Sequence, residues 1–246
     1  MVEEVFSVAA REARAQGAQM VLTPVVDVAR DPRWGRVEET YGEDVYLVSE
    51  MGLAAVRGFQ GKTLPLAPDK VLATLEHFVA DSESVNGTNT GPALISERAL
   101  REVFLRPFER VVKELSVRSI MVTYNELDGL PCTANPWLLT DVLRGEWGFQ
   151  GMTVSDYKAI KELHALHQLE SSLGNAAARA IIAGVDVEFP DPDTYPLLKE
   201  RLAQNKVSME RINEAVSRVI AAKLEAGTLF LQRAPMLQRN AYFYRS

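Results

Sequence analysis

SIMVTYNELDGLPCTANPWLLTDVLRGEWGFQGMTVSDY, residues 119–157, begins and ends on a short apolar run. Ser119 to Tyr124 predicts a strand, and Gly129-Leu130-Pro131 turns the chain. Trp137 to Glu146 predicts a helix. Gly151 to Val154, running into Ser155-Asp156, predicts the next strand. A strand, a helix and a strand in this order form a parallel pair with a right-handed crossover. The same alternation continues outward. Met20 to Val28 (MVLTPVVDV), Val71 to Phe78 (VLATLEHF) and Val185 to Phe189 (VDVEF) predict further strands. Helices are expected over 1–16, 45–59, from Ser96 to about Leu115, and over 158–168, 173–183, 194–204 and 208–226. The fold class is therefore α/β with a parallel sheet. Five strands are legible, whereas about eight close a (β/α)8 barrel, so the expected fold is an incomplete TIM-type barrel. Residues 60–70 read as a loop within one domain, and no internal repeat or low-complexity segment stands out.

Polar and charged residues gather where the strands stop: Asp27, Glu76-His77, Tyr124-Asn125, Ser155-Asp156, and Asp186 with Glu188. Such groups at the carboxyl ends of parallel strands mark the active face of an α/β barrel or open sheet. Among them Asp156 suits a nucleophile, a general base, a metal ligand or a ribose ligand. The competing reading is a helix cap, since Ser or Asp ahead of 158–168 would satisfy free helix amides. Asp31-Pro32-Arg33-Trp34-Gly35-Arg36 suits a sugar, with guanidinium donors and an indole to stack on a pyranose. It equally suits a structural loop with Trp34 packed and the arginines paired to Glu38, Glu39 or Glu43. His77 reads as either a ligand or a hydrogen-bonded structural residue. His164 and His167, three apart, read as helix surface rather than as half of a metal site.

The 246 residues are 47% hydrophobic and 24% charged, with a net charge of -6, the balance of an ordinary globular chain. No Lys/Arg-rich stretch is present, so neither nucleic acid nor an anionic membrane is expected as a partner. The single cysteine, Cys132, cannot make an internal disulfide. The opening residues, Met1-Val2-Glu3-Glu4-Val5-Phe6, read as an amphipathic helix and not as a secretory signal. Localisation is left open. No GxGxxG or GxxxxGK[ST] loop follows a strand, and there is no GxSxG elbow.

Taken together, the ordered blocks ARDPRWGRVEETYGED (29–44), LEHFVA (75–80), GTN (87–89), SERALREVFLRPFE (96–109), MVTYNELDGLPCTANPWLLTDVLRGEWGFQGMTVSDY (121–157) and GVDVE (184–188) resemble glycoside hydrolase family 3. The resemblance covers about residues 2 to 227, taken as one partial barrel domain over 1–227. It implies a retaining, two-carboxylate hydrolysis of terminal β-glycosides, of β-glucosidase or β-xylosidase type, with no cofactor and no metal. Asp156 matches the attacking carboxylate in the family's Ser-Asp-Tyr/Trp motif. Arg36 and His77 match residues that bind glycone hydroxyls. Tyr124 borders the same subsite, and Tyr157 would form its edge. The expected partner is a small-molecule β-glycoside or oligosaccharide. The Lys-His-Phe-Pro-Gly-His-Gly loop of the β-N-acetylglucosaminidase branch is missing, because VADSESVNGTN follows His77-Phe78.

The chain also departs from the family. Glu76, read as a surface charge at a strand end, stands where relatives carry a lysine that donates to the sugar; a glutamate there would set a second anion beside Asp156. The strand that carries a glycone-binding aspartate in relatives is expected upstream of Met1. The domain that supplies the acid/base glutamate is expected after the barrel and is absent from the chain. The tail over 228–246 carries Arg233, Arg239 and Arg245 with no acidic residue and does not resemble the family's continuation. The rival readings are a catalytically inactive fragment or sugar-binding remnant, and a different barrel enzyme using Asp156 as a base.

Overall fold

The computed structural model describes residues 1–229, so the expected atypical tail lies, from residue 230 onward, outside the described residues. Strand and helix alternate as the sequence predicts. After α1 (Val2–Ala15) come β1 (Met20–Val21), α2 (Val45–Gln60) and β2 (Leu72–Phe78). The next helical stretch opens at α3 (Glu97–Ala99), widens into π geometry over Leu100–Phe104 and continues as α4 (Leu105–Glu114). Then follow β3 (Ser119–Val122), a hairpin of β4 (Glu126–Leu127) and β5 (Leu130–Pro131), a π-helical stretch at Trp137–Glu146, and β6 (Met152–Ser155). The chain closes with α5 (Ala159–Ala165), α6 (Leu173–Ala183), α7 (Leu198–Ala203) and α8 (Met209–Glu225).

The main sheet is parallel, in the order β1-β2-β3-β6. Two expected strands shrink. Of 20–28, only β1 and a bridge from Val25 to Glu76 pair with the neighbour. Pro24 between them has no N–H to give the ladder. Of 185–189, a single bridge joins Val187 to Val154. Among the described residues the sheet does not close on itself. The hairpin turns at Asp128-Gly129, both in the left-handed region that a two-residue turn requires.

Period-two alternation sorts the strand residues onto two faces. Ala73, Leu75, Ile120 and Val122 join the large core under α1, α2 and α4. There Phe78 meets Phe108 and Trp147 edge-on at centroid distances of 5.0 and 5.9 Å. The helix α4 shows why it sits there: Leu105, Phe108 and Val111 are buried on one side. Arg106, Glu109, Arg110 and Lys113 pair with acidic or basic neighbours on the other. The opposite sheet face carries Leu72, Met121, Met152 and Val154, packed with Ala222 of α8 and with Ala226. Followed toward the carboxyl ends, that second face runs from Leu72 through Thr74 to Glu76, and from Met152 through Val154 to Asp156. Apolar residues thus hold its amino end and carboxyl groups its other end.

Candidate active site

The geometry of the carboxyl end starts with an irregularity in β2. Leu75 pairs with Ile120 and Phe78 with Val122, so β2 spends three residues where β3 spends two. His77 takes a positive φ of 58° within this bulge. In a regular strand Glu76 and His77 would point to opposite faces. Here they meet, with His77 Nε2 3.4 Å from Glu76 Oε2. A bulge of this kind re-aims side chains beside functional sites.

A buried polar cluster forms around the bulge. His77 Nδ1 bonds Asp27 Oδ2 at 2.8 Å, and the Ser82 amide donates to the other oxygen of Asp27. Asp81 accepts from Trp34 Nε1 at 3.2 Å and from the Thr123 hydroxyl at 3.0 Å. Arg36 donates twice to Glu39, at 2.8 and 2.9 Å, and lies 3.8 Å from Asp81. In the DPRWGR loop Trp34 is buried and both arginines are paired, Arg33 to Asp31 and Arg36 to Glu39. Gly87, in the GTN block, explains its own identity. It sits at φ +69° with the Arg33 carbonyl carbon 2.5 Å from where a Cβ would stand. Any side chain there would push the loop off the cluster.

Asp156 follows β6 on the ladder, its amide donating to the Val122 carbonyl. It is 7% exposed. Its Oδ1 accepts from the Tyr157 amide, while Oδ2 is buried without a partner. The cap reading of Asp156 is not what the structure has. The helix α5 starts from Lys158 with no side-chain cap, and Ser155 Oγ accepts instead from the Phe189 amide.

Electrostatics tie these groups together. Burial first, then the Asp156 charge, pushes the Glu76 carboxyl up to about 7, against the pull of His77 and Arg36. Burial alone would lower His77, but the hydrogen bond and charge of Asp27, with Asp81 and Glu76, raise it to about 9. Asp81 is raised to about 7, chiefly by burial and then by Asp27. Burial first, then the Asp156 charge, drives the Tyr124 phenol well above its usual range. Burial opposes the charge of Arg36, yet Glu39, Asp81 and Asp156 together hold it fast. On α5, Glu162 is raised by burial and by Asp156 despite His167.

The structure therefore brings Asp156, Glu76, His77, Tyr124 and Arg36 into one electrostatic neighbourhood, with Tyr157 beside them at 48% exposure. Four expectations need correction. Glu76 is not a surface strand-end charge, being only 5% exposed. Asp186 and Glu188 do not join the cluster. Asp186 is enclosed by Arg144, Arg211, Arg218 and the Thr153 amide, and Glu188 accepts from the Thr194 and Tyr195 amides. His167 is not helix surface: it lies past the end of α5, its side chain 4% exposed and bonded to Glu126 at 2.8 Å. His164 bonds the Glu170 carbonyl, so the two imidazoles serve different partners. Sequence reasoning missed Asp81 and Thr123. Asp81 opens a polar loop that reads as solvent-facing, and only its place after the buried Phe78-Val79 hints otherwise.

An apolar hollow of about 710 Å³ lies at the other end of the same sheet face, lined by Met20, Leu72, Met152, Val187, Phe189 and Val219 among others. Gln19, Lys223 and Thr228 also line it but no carboxyl group among the described residues does, so the acidic chemistry belongs to the carboxyl end.

Comparison with known proteins bears on both the fold and this cluster. The model of the Glycosyl hydrolase family 3 N terminal domain matches residues 1–222. A β-xylosidase of Formosa agariphila is 42% identical over 236 residues, covering 92% of this chain and 33% of that protein. A periplasmic β-glucosidase of Salmonella typhimurium is 38% identical over 226 residues, covering 92% and 29%. Among solved structures, a β-glucosidase from Erythrobacter marinus superposes with a TM-score of 0.91 at 34% identity, covering 94% of this chain and 31% of that one. A β-glucosidase from Listeria innocua in complex with glucose does so at 0.88 and 35%, covering 92% and 31%. The chain spans about a third of the length of the curated relatives it matches.

Proposed function

The chain belongs to glycosyl hydrolase family 3, and on that premise we propose that its carboxyl-end cluster is the glycone site of a β-glucosidase or β-xylosidase acting with retention. Residues 1–227 are read as one partial barrel domain. The observation that carries the proposal is Asp156: a carboxyl at the end of β6, nine-tenths buried, with Oδ2 unpartnered.

In this reading Asp156 Oδ2 attacks the anomeric carbon as the bond to the leaving oxygen breaks, giving a covalent α-glycosyl ester. A second carboxylic acid protonates the leaving oxygen and then, as base, draws a proton from the water that cleaves the ester. The family resemblance assigns that acid to a further domain. Arg36 and the His77 imidazolium donate to glycone hydroxyls, each held in place by its own carboxylate, Glu39 and Asp27. Tyr124, kept protonated by burial and by the Asp156 charge, stands near the nucleophile, and Tyr157 stands at the pocket rim. That one solved relative holds glucose supports a sugar of this size.

The test is hydrolysis of nitrophenyl β-glucoside and β-xyloside by the chain and by a longer protein extended at both ends. Where turnover is seen, Asp156→Ala should abolish it, and azide should restore it with an α-glycosyl azide as product. Retained turnover in the alanine variant would remove Asp156 from the nucleophile's role.

A further inference from the structure

The cluster holds one carboxyl group that the proposed mechanism leaves without work. Glu76 is buried, yet its Oε1 has no hydrogen-bond partner. Its other oxygen sits at 3.4 Å from His77 Nε2, too far for a strong bond. Each neighbouring cation already holds a carboxylate at short range, and the imidazole nitrogen left without a partner, His77 Nε2, is the one 3.4 Å from Glu76 Oε2. Arg36 makes both its short bonds to Glu39, and His77 makes its short bond to Asp27. Four buried carboxyl groups, Asp27, Glu76, Asp81 and Asp156, stand against these two cations. Buried carboxyls ordinarily find a donor or a counter-charge. Asp27 and Asp81 have donors from the protein; Glu76 Oε1 and Asp156 Oδ2 do not. The Asp156 oxygen is reserved for the anomeric carbon, which leaves Glu76 Oε1 as the other unpartnered carboxyl oxygen of the cluster.

A neutral hydroxyl could fill that acceptor, but it would leave the excess of negative charge uncompensated. An ammonium would satisfy the oxygen and the charge together. We propose that Glu76 fits this site to an amine-bearing glycone, an amino sugar whose free ammonium donates to Glu76 Oε1. The proposal rests on the sugar-site reading above and names its substrate class. It also gives the exchange at position 76 a meaning other than damage. A lysine there favours hydroxyl-bearing sugars, and a glutamate favours sugars that carry the positive charge themselves.

The experiment is calorimetric binding to the 246-residue chain. Its ligands are methyl β-glucoside and four analogues with one free amine each, at C2, C3, C4 or C6. One analogue should bind at least about tenfold tighter than the parent, the lower end of what a hydrogen bond to a charged group contributes. Acetylating that amine should remove the advantage, and added salt should shrink it. In Glu76→Gln the ratio of amine to parent affinity should fall to about one, and in Glu76→Lys it should invert. Should the glutamine variant not fold, acetylation and the salt series on the unaltered chain decide alone. If the parent binds and no amine is preferred, or if the preference survives Glu76→Gln, the inference is overturned and the sugar site stands. If no glycoside binds to chain that circular dichroism shows to be folded, the sugar site itself falls.

Discussion

At the scale of single residues, Glu76, His77 and Asp81 hold protons more tightly in the folded chain than in the unfolded one. Glu76 and Asp81 are raised to about 7 by burial, and Asp27 carries His77 to about 9. A raised group contributes stability that is complete below its unfolded value and lost as pH climbs through the folded one. For Glu76 that window runs from its ordinary 4.5 to about 7. Glu76→Gln deletes this titration. The thermal midpoint of the variant should therefore gain on that of the unaltered chain between pH 5 and pH 8. A constant offset between the two proteins would show that Glu76 does not titrate there. At this scale the sequence was legible where a residue ends a strand, as Asp156 and His77 do. It was not legible where burial depends on a loop folding back. Asp81 becomes a buried acceptor only because Trp34 and Thr123 close over it, from positions 47 and 42 residues away. Glu76 reads as exposed because a strand end usually is; the bulge turns it inward.

At the scale of elements, apolar runs and helical periodicity carried the reading well. The helix expected at 137–146 falls on Trp137–Glu146, and 173–183 on Leu173–Ala183. The failures have local causes: Pro24 interrupts the first ladder, and 185–189 has a partner along only one residue. Asp186 was also misread, for a reason of packing. It stands at the start of that last segment rather than its end, and there it pins α8 and the 137–146 helix to the sheet. Arg211 and Arg218 reach its Oδ1 at 2.7 and 2.8 Å, and Arg144 reaches Oδ2 at 2.9 Å. Removing one side of a buried charge network costs roughly 3–5 kcal/mol, because the remaining charges are left uncompensated. Asp186→Ala should cost about that much, read from the urea midpoint, while leaving sugar affinity in the folded fraction unchanged. A loss below about 1 kcal/mol, the usual worth of exposed pairs, would mean that the three arginines find water instead.

At the scale of the molecule, the described sheet has an exposed edge on β1 and another beside Val187, and an apolar hollow between them. Unpaired edges and uncovered apolar surface promote association. The chain on its own should sediment as concentration-dependent oligomers and melt broadly. A monodisperse monomer with a sharp two-state transition would show that these edges are tolerated. The central claim, that Asp156 is the nucleophile of a retaining glycosidase, can be tested even where no acid assists the leaving group. Dinitrophenyl 2-deoxy-2-fluoro-β-glucoside and its xyloside counterpart carry leaving groups good enough to depart unaided, and the fluorine slows breakdown of the ester that forms. Mass spectrometry of the digested chain should find one fluoroglycosyl group on the peptide containing Asp156, and none in Asp156→Ala. A label on another carboxyl, or no label on folded protein, would contradict the account.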